Sequence, residues 1–124
     1  MQVGERLLPE SRAAWQAWLV AHHATVAEIW LVSVRRSART RSFSHAVACD
    51  EAICFGWAAG PSQMLDGDSF ATRFRPRAPG AAWSDADTAR ARRLAGEGRL
   101  LPAGIAVLPP RLRVELGLGP GHRR

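Results

Sequence analysis

A tight turn between two extended segments restricts the possible folds of this chain more than any other feature. The tripeptide Asp-Gly-Asp at 66–68 joins the stretches WAAGPSQMLD (57–66) and SFATRFRPR (69–77). An Asp-Gly pair favours the short turn of an antiparallel hairpin, because both residues tolerate a positive φ. Pro61 has no amide hydrogen to donate to a sheet, so its presence in the first stretch indicates an edge strand or a bulge. The sequence therefore predicts a β-hairpin near the middle of the chain.

Two helices and a strand precede the hairpin. Ser11 can act as the N-cap of a helix that extends to about His23, because apolar residues recur there at helical spacing. The stretch AEIWLVSVRR (27–36) is rich in β-branched and aromatic residues and predicts a strand. Ser44 can cap a second helix, which is expected to end where Gly56 follows its last turn.

Two further helices follow the hairpin. Ser84 and Asp87 resemble a capping box at the start of a helix that extends to about Glu97. A short helix over 102–108 begins with a proline, which the first turn of a helix tolerates. The element order is then α-β-α-β-β-α-α. It predicts an α+β fold in which a small, mostly antiparallel sheet of about three strands packs against helices.

Length and composition predict one folded domain followed by a tail. A chain of 124 residues with 47% hydrophobic residues is long enough to bury one core. We assign residues 1–108 to this domain and 109–124 to a basic, Gly/Pro-rich tail that we expect to be partly disordered. Within the tail, RLRVELGL (111–118) alternates like an edge strand, whereas Leu112 and Leu116 are spaced like a helical turn. The sequence leaves both structures open.

The chain is strongly basic, and arginine alone carries the positive charge. The formal net charge is +6, and all 17 basic residues are arginine. Such a charge favours an anionic partner, but it is also typical of chains that use arginine for every solvated surface cation. We therefore interpret most of it as surface charge. A nucleic-acid-binding surface is the alternative, and it would use Arg35, Arg36, Arg39, Arg41, Arg73, Arg75 and Arg77.

The two cysteines and the N-terminus indicate a cytoplasmic protein. Cys49 and Cys54 lie five residues apart in one predicted helix, which separates their Cα atoms by about 8–9 Å and prevents a disulfide. We expect both thiols to be reduced and buried. No stretch has the length and hydropathy of a signal peptide or a transmembrane segment.

The sequence shows no pattern for catalysis or for a metal. The histidines do not combine with the cysteines at zinc-binding spacing. Phosphate-binding glycine loops and serine nucleophile motifs are also absent from the sequence. The sequence therefore predicts no catalytic residue, no metal and no cofactor, and it favours a role that is not enzymatic.

An ordered series of short motifs extends over residues 11–106. The motifs are WQAWL (15–19), EIWLVSVRR (28–36), DEAICFGW (50–57), LD (65–66), RFRPR (73–77), WS (83–84) and EGRLLPAG (97–104). In this combination the chain resembles the bacteriocin-protection, YdeI/OmpD-associated family. By position, the signature residues of that family fall on Gly56, Trp57, Asp66, Phe74, Pro76, Arg77, Trp83 and Ser84.

The resemblance implies a stress or defence role. Members of that family are small bacterial proteins linked to tolerance of bacteriocins, antimicrobial peptides and envelope stress, with no established enzymatic activity. By this resemblance the chain is expected to be a non-enzymatic accessory protein that binds another protein or an anionic partner. Three positions depart from the family signature: Ala59 replaces an aspartate, Ala81 a serine and Asp87 an asparagine.

The candidate binding residues cluster around the hairpin and the corner that follows it. They are Trp57, Asp66, Arg73, Arg75, Arg77, Trp83 and Ser84. The three arginines alternate along a predicted strand and so project to one face, where guanidinium groups suit a carboxylate or a phosphate. Arg77 has an equal structural alternative, in which it ties the corner to Asp66 or to the C-terminus of a helix. We interpret Trp57 and Trp83 as core or groove residues, and Asp66 as a turn former.

Overall fold

The computed structural model describes residues 4–9, 11–34, 44–78 and 80–118. Within these ranges the chain forms four strands and five helices, so the α+β class is confirmed. In chain order they are β1 (Arg6–Leu7), α1 (Arg12–His22), β2 (Ile29–Val34), α2 (His45–Cys54), β3 (Trp57–Met64), β4 (Ser69–Pro76), α3 (Asp85–Gly96), α4 (Pro102–Ala106) and α5 (Pro110–Glu115). The predicted order lacks β1, and α5 shows that the undecided stretch 111–118 contains a helix.

The sheet has four strands in the order β1-β2-β4-β3, one more than the sequence predicts. β2 and β3 both pair antiparallel with β4, so most of the sheet is antiparallel as expected. β1 instead pairs parallel with β2, with Arg6 opposite Trp30 and Leu7 opposite Leu31, so the sheet is mixed. A strand of two residues shows no alternation of apolar and polar side chains, which is why the sequence pattern missed it.

β3 and β4 form the predicted hairpin. In its turn, the Asp66 carboxylate accepts hydrogen bonds from the Asp68 amide at 2.8 Å and from the Ser69 hydroxyl at 3.1 Å. The pairing register shifts between Ala59 and Ser62, so the predicted bulge is confirmed. β3 lies at the edge of the sheet, where the proline in the bulge interrupts no interior pairing.

Serine residues cap the three longest described helices, α1, α2 and α3. The hydroxyls of Ser11, Ser44 and Ser84 accept hydrogen bonds from the amides three residues later, at 3.1, 3.2 and 3.1 Å. Each bond satisfies an amide that the helix itself leaves unpaired. After the C-terminal end of α2, Gly56 has a φ of 79°, a conformation that favours glycine. The predicted boundaries of these helices are therefore correct to within a residue or two.

The core lies on one face of the sheet and contains two fully buried tryptophans. Ile29, Leu31 and Phe74 extend from the sheet into a cluster with residues of α1, α2 and α3. Trp15 and Trp57 are 0% and 1% exposed. Each indole nitrogen donates a hydrogen bond to a backbone carbonyl, at 3.1 and 3.2 Å, so burial leaves neither donor unpaired.

The first part of the predicted tail is folded. α5 packs on the core through Leu112, which is 5% exposed. The remainder of that tail, 119–124, lies outside the described residues, as do the predicted nucleic-acid contacts Arg35, Arg36, Arg39 and Arg41. Among the helices of the described ranges, none is long and apolar enough to cross a membrane.

Candidate functional site

Trp57, the first candidate binding residue, belongs to the interior. It begins β3 directly after the left-handed Gly56, and its indole nitrogen donates to the His23 carbonyl at 3.2 Å. Trp18 packs edge-on against the same ring, with 5.7 Å between the centroids. With 1% of its surface exposed, Trp57 orders the junction between α1 and β3 and offers no surface to a ligand in this conformation.

Arg77, Trp83 and Asp87 form a closed cluster, which we call the Arg77 corner. The Arg77 guanidinium carbon lies 3.9 Å from the ring centroid of Trp83, and its Nη2 donates to Asp87 Oδ2 at 2.9 Å. The Arg77 amide also donates to the Gly56 carbonyl at 2.8 Å. Arg77 is 8% exposed and is therefore held by the protein itself. The structural alternative predicted for Arg77 is present, but its partner is Asp87 in the first turn of α3, not Asp66 or a helix C-terminus.

Ser84 and Asp66 are also engaged in local structure. The Ser84 hydroxyl accepts the Asp87 amide at the start of α3, and Asp66 holds the hairpin turn. The hydrogen bond from the Asp68 amide lowers the pKa of Asp66, because it stabilises the ionised carboxylate. Trp57 pairs with Pro76 at the open end of the hairpin, whereas Asp66 lies at its turn. The structure therefore does not bring Asp66 together with the Arg77 corner.

Arg73 and Arg75 lie on the sheet face that points away from the core. Arg73 is half-buried, and its Nε donates to Glu28 Oε1 at 2.8 Å. Arg75 is exposed and forms no ion pair with any described residue. Of the three alternating arginines, Arg75 alone therefore keeps a free guanidinium within the part of the chain that the structure describes. The binding role assigned to these residues stays a prediction.

An unbroken series of ion pairs connects the Arg77 corner with α3, α2 and α1. We call it the ion-pair chain, and its members alternate in sign in the order Arg77, Asp87, Arg90, Asp50, Arg93, Glu97, Arg99, Glu51 and Arg12. Glu51 is 2% exposed, and Arg99 holds it at 2.8 Å. Five of the 17 arginines of the chain thus have a carboxylate partner in this series.

An open groove of about 490 Å³ lies between the corner, α3 and α5. We call it the α3–α5 groove, and its principal lining residues are Trp83, Thr88, Arg92, Arg111, Leu112 and Glu115. Trp83 is half-buried and packs on the core while it lines the groove. Because Arg77 covers one face of its ring, the groove is lined by the other face or the edge of the indole. Trp83 is the one residue of the predicted site that lies in this groove.

Among the described residues, the polar side chains that line the α3–α5 groove are paired, with the exception of Arg111. Arg92 donates two hydrogen bonds to the Glu115 carboxylate, at 2.6 and 3.0 Å, and this lowers the pKa of Glu115. The Thr88 hydroxyl donates to the Ser84 carbonyl at 2.9 Å. Arg111 is exposed, and no described carboxylate pairs with it. As far as the described ranges show, the groove therefore presents one guanidinium without an ion-pair partner.

Sequence reasoning did not single out Arg111. The usable signal was Pro110, a residue that favours the first turn of a helix, followed by Leu112 and Leu116 at helical spacing. A helix there places Leu112 inward and leaves Arg111 in solvent, as observed. The bias of the whole chain towards arginine hid this residue among many similar ones.

A cysteine–histidine contact was also missed. Cys49 Sγ lies 3.5 Å from His45 Nε2, one helical turn apart in α2. Burial raises the pKa of the Cys49 thiol and lowers the pKa of His45, so both groups favour their neutral forms. Burial likewise raises the pKa of Cys54 to about 11. Both cysteines are free and buried, as predicted, and a protonated buried thiol is a poor nucleophile.

A second groove and the acidic residues offer less chemistry. A groove of about 500 Å³ between β1 and α1 is lined by apolar residues such as Leu7 and Trp18, with His22 at one side. In the described ranges, no three His, Cys, Asp or Glu side chains are grouped to hold a metal ion. Of these two grooves, the α3–α5 groove is the one that combines an aromatic surface with a charged side chain that has no ion-pair partner among the described residues.

Comparison with known proteins assigns the domain to a family but does not give its activity. No curated protein and no solved structure is detectably similar to this chain. A family model matches residues 7–107, which extend from β1 through α4 and supply the Trp83, Thr88 and Arg92 side of the groove. The opposite side, with Arg111, comes from residues after the match. The chain belongs to the family described as a domain of unknown function, DUF8412.

Proposed function

We propose that this chain is a non-enzymatic binding protein that holds its partner in the α3–α5 groove. In this proposal it acts in the bacterial cytoplasm as an accessory factor in tolerance of bacteriocins or antimicrobial peptides. The cellular role rests on the resemblance to the YdeI/OmpD-associated family. The observation that carries the binding site is the free guanidinium of Arg111 beside Trp83 in an open groove.

The contacts of Arg77 and Arg111 favour the groove over the Arg77 corner as the binding site. A ligand at the corner must displace Arg77 from both Asp87 and the Trp83 ring, which leaves a buried charge without its partners. Arg111 has no ion-pair partner among the described residues, so a ligand there breaks none of the ion pairs that the structure shows. The corner then fixes the position of Trp83, and the groove uses the exposed part of the same residue.

The departures from the family signature agree with a structural role for the Arg77 corner and a binding role for the groove. Ala81 replaces the serine of the family signature, and it lines the α3–α5 groove. With alanine at position 81, the groove is more apolar than it would be with the serine of the family signature. Ala59, which replaces an aspartate, lies in the exposed part of β3 and does not line the groove. The proposal therefore needs neither of the missing polar groups.

Complementation of a deletion strain tests the proposal. Cells that lack the gene are challenged with a cationic antimicrobial peptide and supplied with the wild-type chain, Arg111→Glu or Arg75→Glu. Both substitutions reverse one exposed, unpaired arginine, but only Arg111 lines the groove. We expect the wild type and Arg75→Glu to restore survival and Arg111→Glu to give at least tenfold fewer survivors.

Two results would count against this proposal in different ways. Full restoration by Arg111→Glu would remove the groove as the functional surface. Failure of the wild-type chain to change survival would remove the stress role and leave the groove itself to be tested by ligand binding.

A nucleic-acid-binding surface is the second candidate. Arg6, opposite Trp30 in β1, shares the outer sheet face with Arg73 and Arg75. Arg73 and Arg77 are held in ion pairs, however, which leaves this candidate with fewer free cations than the sequence suggested. Binding would be strongly salt-dependent, because phosphate contacts release counterions. A gel-shift titration with single-stranded and double-stranded DNA at low salt that shows no complex would end this candidate.

A further inference from the structure

We propose that the α3–α5 groove binds a compact monocarboxylate with an aromatic or apolar body. The carboxylate lies on Arg111, and the body lies against Trp83 and Leu112. This inference rests on the proposed function, since it names the ligand class of the same groove. A volume of about 490 Å³ is in the range of sites for small ligands.

The charge of the groove fits one negative charge. Arg92 and Glu115 neutralise each other through their two hydrogen bonds, which leaves Arg111 as the one unneutralised charge among the described lining residues. A monoanion is neutralised there. A dianion brings a surplus negative charge into a groove that the Glu115 carboxylate also lines, and like charges repel.

The shape of the free cation favours a carboxylate among the monoanions. The guanidinium of arginine is planar and donates two parallel hydrogen bonds, which match the two oxygens of a carboxylate. Arg92 already uses its Nε and Nη2 in this way on Glu115. Arg111 has no such partner among the described residues, so a ligand carboxylate can form the same two-bond arrangement with Arg111 on α5.

The remaining lining favours an apolar ligand body. Trp83, Leu112 and Pro109 present carbon surface to the groove, and Ala81 and Ala82 add small side chains at its edge. The hydroxyl hydrogen of Thr88 is committed to a backbone carbonyl, so it offers a ligand no donor. A polar ligand body would lose its water without finding partners, whereas an aromatic ring gains contact with the indole of Trp83.

A ligand of this chemistry can come from two sources, and the affinities of two matched probes distinguish them. One is a free small aromatic acid. The other is the C-terminal carboxylate of a peptide that ends in an apolar residue. The matched probes are phenylacetate for the free acid and the tripeptide Ala-Ala-Phe for the chain end.

Calorimetric titration of the full chain tests the ligand class. The probes are phenylacetate, its neutral analogue phenylacetamide and the dianion phenyl phosphate, together with Ala-Ala-Phe and its C-terminal amide. We expect at least one carboxylate probe to bind at least tenfold more tightly than its amide. We also expect phenylacetate to bind more tightly than phenyl phosphate. The tighter carboxylate probe identifies the source.

Matched variants test the residue. Arg111→Gln removes the unpaired charge of the groove, whereas Arg12→Gln removes an exposed charge on α1 that does not line the groove. We expect carboxylate affinity to fall at least fivefold in Arg111→Gln and to change less than twofold in Arg12→Gln. Equal binding of acid and amide, tighter binding of phenyl phosphate, no saturable binding of either acid, or equal loss in both variants would overturn the proposal.

The outcomes of the two proposals are separable. If Arg111→Glu abolishes complementation but no monocarboxylate binds, the groove keeps its function and the ligand class is wrong. If a monocarboxylate binds through Arg111 but Arg111→Glu complements fully, the ligand class stands and the cellular role of the groove is wrong.

Discussion

The guanidinium carbon of Arg77 lies 3.9 Å from the ring centroid of Trp83. The same guanidinium donates to Asp87 at 2.9 Å, so one side chain joins the end of β4, the corner and the first turn of α3. Since Trp83 also lines the α3–α5 groove, the Arg77 corner fixes one wall of the groove. In our proposal, Trp83 serves both the fold and the binding groove, whereas Arg77 serves the fold and Arg111 the groove.

Loss of the Arg77 side chain is expected to destabilise the fold. The side chain is 6% exposed, and Arg77→Ala leaves Asp87 with Arg90 as its remaining partner. We expect the free energy of unfolding in urea to fall by about 2–3 kcal/mol. Arg75→Ala, which removes an exposed arginine two residues earlier, should change it by less than about 0.5 kcal/mol. Equal stability of the two variants would show that the corner contributes nothing.

The close approach of α4 to the end of α2 requires a glycine at 104. A Cβ on Gly104 would lie 2.6 Å from the Cys54 carbonyl oxygen and 2.7 Å from that of Ile53. Because backbone atoms cannot yield locally, Gly104→Ala is expected to cost about 2–3 kcal/mol in thermal or urea unfolding. Gly96→Ala, in α3 with open space around the new methyl group, should instead stabilise by about 0.5 kcal/mol. Tolerance of alanine at 104 would contradict this packing.

Stability is expected to fall as pH rises from 9 to 11. The sequence contains neither lysine nor tyrosine, so the thiols are the side chains that titrate in this window. Burial raises the pKa of Cys54 from 9.0 to about 11, and it also raises the pKa of Cys49. The unfolded chain therefore binds fewer protons than the folded chain in this range, and alkaline conditions favour unfolding.

Unfolding by urea at pH 8, 9, 10 and 11 under reducing conditions measures this slope. We expect a loss of about 2 kcal/mol across the upper part of this range. Cys54→Ala should flatten the slope more than Cys49→Ala. A wild-type stability that is constant from pH 9 to 11 would mean that the thiols ionise as readily in the folded chain as in the unfolded one.

The charge balance of the groove predicts a specificity change. Glu115→Gln removes the carboxylate that neutralises Arg92, so the net charge of the groove rises by one. We expect the affinity for phenyl phosphate relative to phenylacetate to increase at least tenfold, because the dianion then meets two cations. Calorimetry of the variant against the wild type measures the ratio, and an unchanged ratio would show that Glu115 does not determine it.

Local rules were sufficient for much of the fold. Serine caps, the turn at Asp66 and the register shift beside Pro61 depend on neighbours within a few residues, and each was readable from the sequence. The closed state of Arg77 was one of two predicted alternatives. The ion-pair partner of Arg77 is Asp87 because of the angle between α3 and the corner. No local sequence pattern encodes this angle.

Long-range pairings account for most of what the sequence did not reveal. Arg99 reaches Glu51 across 48 positions in the chain, and nothing in the sequence marks these two charges as partners among many others. The same holds for Arg92 and Glu115, which join α3 to α5. Since these pairings decide which arginines remain free, Arg111 becomes recognisable as a candidate ligand contact only in the folded chain.

The indole N–H signal of Trp83 gives the most direct test of the α3–α5 groove. The chain has five tryptophans, and Trp83→Phe identifies the signal of Trp83 in a nitrogen-15 correlation spectrum. During titration with phenylacetate or Ala-Ala-Phe, we expect this signal to shift saturably while those of the buried Trp15 and Trp57 move little. In Arg111→Gln the shift should require at least fivefold more ligand. A stationary Trp83 signal at ligand concentrations that shift another tryptophan would contradict the assignment of the binding site to this groove.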